Sequence, residues 1–197
     1  MNQLTRLPLF FVLLAFPVSA ASTFWELEKL QLSLDPALGQ PSAVALKKSN
    51  SAQDLLSIAE DTSESLNTRL AAVYALRQFF ADDAVRRRVR RLAEGDGSVD
   101  IRAMCLRVLG WAVWDERIRD FLVERADDEY NANPKLEALR ALGHFRSPGV
   151  NQDVYGFLLD KTRGEAIYIR YAAIKSLYYA VLDNYEPALD AVRRLTK

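Results

Sequence analysis

The chain has 197 residues, half of them hydrophobic, and balances 26 Lys and Arg against 26 Asp and Glu. Neutrality removes the global positive field on which salt-dependent nucleic-acid binding rests, and a single cysteine, Cys105, excludes an internal disulfide. At this length one domain buries roughly 70% of its unfolded surface and needs no metal or disulfide staple.

Residues 1–20 begin with a short polar stretch carrying Arg6, continue through an apolar run at 7–16, and end in small residues, with Val18 and Ala20 three and one places before a cleavage point. That layout predicts a secretory signal cut after Ala20, which places the mature chain in the periplasm or outside the cell. The run is shorter than the ~20 residues a helix needs to cross a bilayer, so no membrane span is expected after signal removal. Residues 21–48 open with an amphipathic stretch, "STFWELEKLQLSL", which Pro36 and Pro41 interrupt, and are assigned to an N-terminal helical and irregular segment. Residues 49–197 form the third region, a domain of repeats.

The repeat is written four times, as "RLAAVYALRQF" from Arg69, "RAMCLRVLGWA" from Arg102, "KLEALRALGHF" from Lys135 and "RYAAIKSLYYA" from Arg170, at separations of 33, 33 and 35 residues. Three residues after the basic position stand Ala72, Cys105, Ala138 and Ala173; the fourth place holds Val73, Leu106, Leu139 and Ile174; the seventh holds Leu76, Leu109, Leu142 and Leu177. Offsets of three, four and seven define one face of a helix, so these are the predicted core positions, and Cys105 reads as a small buried side chain.

Asn67, Asp100 and Asn133 stand two residues before the basic position and are expected to cap these helices, with Pro134 at the first helical place. Gly110 and Gly143 are expected to end two of them in a left-handed turn. A second helix follows each copy, in "DDAVRRRVRRLAEG", "DERIRDFLVERADD", "VNQDVYGFLLDKTRG" and "EPALDAVRRLTK", and "LLSIAED" from Leu55 reads as the end of an earlier one. Two helices per ~33 residues without strand-like alternation predict an all-α fold, an α-solenoid in which each unit buries its apolar face against its neighbours.

A capping or small residue, a basic residue, then "AA" and "AL" or "LG" resembles the HEAT-like repeat of phycobilisome-lyase-type and related proteins, over residues ~55–197. The resemblance implies a right-handed α-solenoid of about four HEAT-like two-helix repeats plus an N-terminal half-repeat. It also implies that the basic-residue helices line a concave groove suited to an extended or helical partner segment. Function does not follow from such a fold.

Catalysis finds little support in the residues. His144 is the sole histidine and is followed by Phe145, which excludes the repeated His-Glu pairs of the di-iron hydroxylases of this fold. A Gly-rich phosphate loop, zinc-ligand spacing and a serine-histidine-acid set are lacking, so no enzyme activity, metal or other cofactor is expected.

Binding is the better expectation. On the basic-residue helices the first, fifth and ninth offsets share a face other than the core face. The fifth holds Tyr74, Arg107, Arg140 and Lys175, and the ninth holds Gln78, Trp111, His144 and Tyr179. Stacked, they make a stripe, basic along its middle and aromatic along one edge, rich in the residue types that carry interface energy. The candidate partner-binding residues are Tyr74, Arg107, Trp111, Arg140, His144, Lys175 and Tyr179, against a partner with acidic and apolar side chains. The plainer alternative has the aromatics partly buried and the cations paired locally, as Arg140 with Glu137 one turn away.

Arg86 and Arg90, in the run "RRRVRR", form a second candidate patch, expected to stay free while Arg87 and Arg91 meet Asp120 and Glu124 of the next copy. Five tyrosines in the last copy, Tyr168, Tyr171, Tyr178, Tyr179 and Tyr185, suggest an interaction edge. The sequence therefore points to a non-catalytic adaptor or scaffold of the bacterial cell envelope. A lyase-like or enzyme-accessory protein and an envelope protein touching anionic polymer or lipid stand as the alternatives.

Overall fold

Short polar residues set where the helices begin. Ser51, Ser65 and Ser98 each accept a hydrogen bond from the amide three residues on, at 3.1, 3.1 and 3.4 Å, while Asp82 accepts from the amide two residues on and Asp115 from those two and three residues on. Each satisfies an amide that the helix itself leaves without a partner.

The computed structural model describes residues 51–145, 152–163 and 166–178, with Glu186, Leu189 and Asp190. The signal at 1–20, the segment at 21–48, Tyr179, Tyr185 and most of the last helix lie outside the described residues. Among the described residues the chain is all-helical, with no strand. In order come α1 (Ala52–Glu60), α2 (Leu66–Leu76) with a 3-10 turn at Arg77–Phe79, α3 (Asp83–Gly95) and α4 (Val99–Leu109). Then follow α5 (Glu116–Asp128), α6 (Ala132–Leu142), α7 (Gln152–Asp160) and α8 (Ile167–Ser176).

One row of helices packs in succession and the others flank it. The basic-residue helices pack in succession, α2 on α4, α4 on α6 and α6 on α8. The others lie against the helix that follows each in the chain, α1 on α2, α3 on α4, α5 on α6 and α7 on α8. Such packing is compatible with a helical repeat. The predicted face is the core: Ala72, Cys105, Ala138 and Ala173 have no exposed surface, nor do Leu76, Leu109 and Leu142, while Ile174 is half-buried. Each fully buried leucine contributes about 1.5–3 kcal/mol relative to an exposed one. Burial also pushes the Cys105 thiol up, leaving it a protonated packing group.

The repeated basic residue explains why each helix pairs with the one before it. Arg69 Nε donates to the Ala59 carbonyl at 2.9 Å, Arg102 to the Asp96 carbonyl at 2.8 Å, and Lys135 Nζ to the Asp127 carbonyl at 2.9 Å. All three acceptors sit at the end of the preceding helix, where carbonyls lack helical partners and a cation is favoured. Two of these arginines also reach forward, Arg69 to the buried carboxylate of Asp96 and Arg102 to Glu129 at 3.7 Å. Asp96 and Glu129 cap the ends of α3 and α5. Arg170, in the fourth copy, is exposed.

Two local expectations are corrected. The caps of α2, α4 and α6 are Ser65, Ser98 and Asn131, so Asn67, Asp100 and Asn133 lie inside the first turn. The helices start about half a turn earlier than expected, and Pro134 falls at the third helical place, where its missing amide still costs no helical bond. Gly110 and Gly143 are right-handed, at φ −58° and −62°. Their role is close approach: a Cβ on Gly110 would stand 2.8 Å from the Cα of Ala141, and one on Gly143 would stand 3.0 Å from the Cα of Ser176. Each glycine thus lets its helix end meet the backbone of the next helix in the row.

Candidate functional site

The predicted stripe runs along the row formed by α2, α4, α6 and α8, and the structure links its members through two residues outside it. Arg77, just past α2, places its guanidinium carbon 3.9 Å from the Tyr74 ring centre and 5.2 Å from that of Trp111. Trp111, past α4, stacks on His144, past α6, with ring centres 5.9 Å apart and planes inclined by 26°. Tyr74, Trp111 and His144 are therefore brought together across three neighbouring helices. Tyr74 is half-buried against the core, whereas Trp111 is 52% exposed.

Glu137 is the second linking residue. It lies buried on α6, accepts from Arg107 of α4 at 2.7 and 3.0 Å, and pairs with Arg140 one turn along its own helix. Burial would raise its carboxyl, but the hydrogen bonds and charge of Arg107, with Arg140 beside it, outweigh that and hold it below the usual carboxylate range. Two of the three cations in the stripe are thus tied to a shared anion that bridges α4 and α6. Lys175 is exposed on α8, and Tyr179 lies outside the described residues.

Both linking residues left a trace in the repeat register. Glu137 occupies the second offset, where the other copies carry Ala71, Met104 and Ala172, all buried. A carboxylate at a buried register position calls for a cationic partner, and Arg107 supplies it. Arg77 occupies the eighth offset, where the next two copies have Gly110 and Gly143.

The second patch is corrected. Arg86 is nearly buried, with 11% of its side chain exposed, and reaches Asp115 at 2.8 Å, Asp83 at 3.1 Å and the Phe80 carbonyl. Arg90 pairs with Glu94 at 2.9 Å and lies 4.6 Å over the Phe121 ring. Neither is free. Arg87 takes Asp83 on its own helix, while Asp120 and Glu124 pair with Arg119 and Arg125. Partners on the same helix, one turn away for Arg87 and next in the chain for Asp120 and Glu124, need no alignment between helices and replace the cross-helix pairs. In the last copy Tyr168 and Tyr178 are exposed at 48% and 44%.

Among the described residues no group of three or more His, Cys, Asp or Glu could hold a metal ion, and no helix is long and apolar enough to cross a membrane. No model of a known protein family matches the chain, and no curated protein matches it.

Proposed function

We propose that the chain is a HEAT-like, right-handed α-solenoid of about four two-helix repeats with a leading half-repeat. In this reading it is exported to the cell envelope and acts without catalysis, as an adaptor that binds another protein through a concave groove lined by α2, α4, α6 and α8. The observation that carries the reading is Trp111, half exposed and stacked on His144 with Arg77 at its ring. A side chain already fixed by its neighbours loses little rotamer freedom when a partner covers it, and ordered Trp, Tyr and Arg are the types that dominate interface energies.

The test is capture from envelope extract by the parent chain and by a variant carrying Trp111→Ala and Lys175→Glu. Arg107 and Arg140 are unsuitable for this purpose, because reversing them would leave the buried Glu137 among like charges. A partner retained by the parent and lost by the equally folded variant is the expected result. The same set retained by both would overturn the reading.

A further inference from the structure

Among the described residues every buried or half-buried arginine except one meets a carboxylate, from Arg69 with Asp96 to Arg140 with Glu137. The exception is Arg77. It is half-buried, and among those residues its guanidinium takes part in no hydrogen bond or ion pair. What holds it is the Tyr74 ring at 3.9 Å, with Trp111 at 5.2 Å. Attraction to an aromatic face fixes the position of a guanidinium but uses none of its five N–H donors, which lie in the plane of the group.

We propose that Arg77 is a receptor for one carboxylate, carried by an acidic side chain of a partner's peptide segment and flanked by an apolar side chain that lies on Trp111. An aromatic-backed guanidinium is well suited to grip a carboxylate through two parallel hydrogen bonds, and the partly desolvated surroundings strengthen that grip. Trp111, half exposed beside it, supplies the apolar contact.

Charge complementarity selects a peptide over a polyanion. The neighbouring cations Arg107 and Arg140 are already neutralised in part by Glu137, and Lys175 stands three helix spacings away, roughly 25–30 Å at typical packing distances. A polyphosphate chain or an anionic membrane needs several cations close together. One carboxylate beside one apolar group matches one guanidinium beside one indole. Arg77 also sits where the register has Gly110 and Gly143 in the next two copies, so the receptor is confined to a single repeat. This inference rests on the partner-binding reading and names the chemistry that the partner presents.

The probe is a fluorescently labelled, acetylated peptide alternating leucine and glutamate, titrated by anisotropy against the full chain, beside the same peptide with glutamine for glutamate. The parent is expected to bind the glutamate peptide about tenfold or more tightly than the glutamine peptide, the ratio that a charge-assisted hydrogen-bonded pair supplies. Arg77→Gln should abolish that preference without changing the melting temperature, and Arg77→Lys should restore only part of it. Equal binding of the two peptides, an unchanged preference in Arg77→Gln, or no binding of either peptide overturns the proposal. So does Arg77-dependent binding to phosphatidylglycerol vesicles in place of the peptide. If Arg77→Gln still captures the envelope partner that the Trp111 and Lys175 variant loses, the carboxylate site fails and the wider reading stands.

Discussion

The more exposed cations of α3 and the cations of the first-helix row, α2, α4 and α6, are equally conspicuous in the sequence, yet they do different things. On α3, Arg87 and Arg90 pair with acids one turn away on the same helix, whereas Arg86 and Arg88 of the same run reach Asp115 and Glu60 outside it. The pairs within one helix contribute little to stability, and they hold no element against another. In the first-helix row, Arg69, Arg102 and Arg107 reach from one helix to another and end on carboxylates that are largely buried. A cluster of like charges in the sequence is therefore a poor guide to a binding surface, whereas a single charge at a register position otherwise filled by small or apolar residues is a good guide to a joint.

The sharpest way to break this contrast is to remove one acid from each region. Asp96→Ala strands the buried Arg69 guanidinium and should cost about 3–5 kcal/mol. Glu94→Ala, which frees only the half-buried Arg90, should cost less than about 1 kcal/mol. Chemical denaturation of the two variants reads both numbers, and similar losses would mean that the row and the ridge are not distinct.

Glu137→Gln comes next, at about 1.5–3 kcal/mol, since Arg107 and Arg140 lose their shared anion. The same residue predicts a pH effect. Its folded carboxyl is held below the ordinary value, so its contribution is complete above the unfolded value of about 4.3 and disappears as the pH falls through the lower folded one. The parent should lose stability over that acidic window more steeply than Glu137→Gln, as thermal melts at a series of pH values would reveal.

Glycines sharpen the comparison further. Gly110→Ala drives a Cβ to 2.8 Å from the Ala141 backbone and should destabilise by about 1–3 kcal/mol, with Gly143→Ala costing somewhat less. Gly156→Ala, on α7 with nothing within 4 Å, should stabilise by about 0.5–1 kcal/mol through helix propensity alone. Opposite signs in a melting experiment would mark which helices are packed backbone to backbone.

Much of the fold was legible because the repeat tells the same thing four times. Offsets three, four and seven identified the core, and nearly every member is buried. What escaped was information carried by only one or two copies, or decided between elements. The caps slipped by two residues because polar residues stand at both places, and only the backbone tells whether Ser65 or Asn67 begins the helix. The two glycines were placed by their usual left-handed role, although the space they leave for Ala141 and Ser176 is what requires them. Arg86 looked free because its acceptors, Asp115 and the Phe80 carbonyl, are brought to it by a loop and a neighbouring helix start, which no periodicity encodes. In the candidate site, Tyr74, Trp111 and His144 could be aligned by counting, whereas Arg77 and Glu137 join them only across helices.

The central claim is that partners meet the first-helix row and not the α3 and α5 ridge. It is tested most directly by placing a photoactivatable cross-linking side chain in turn at Gln78, Tyr178, Arg87 and Asp120, of which Gln78 and Tyr178 are exposed beside the row, and irradiating each protein in envelope extract. The expected result is one common cross-linked partner from positions 78 and 178, and none from 87 and 120. Cross-links that arise from 87 and 120 alone would contradict it.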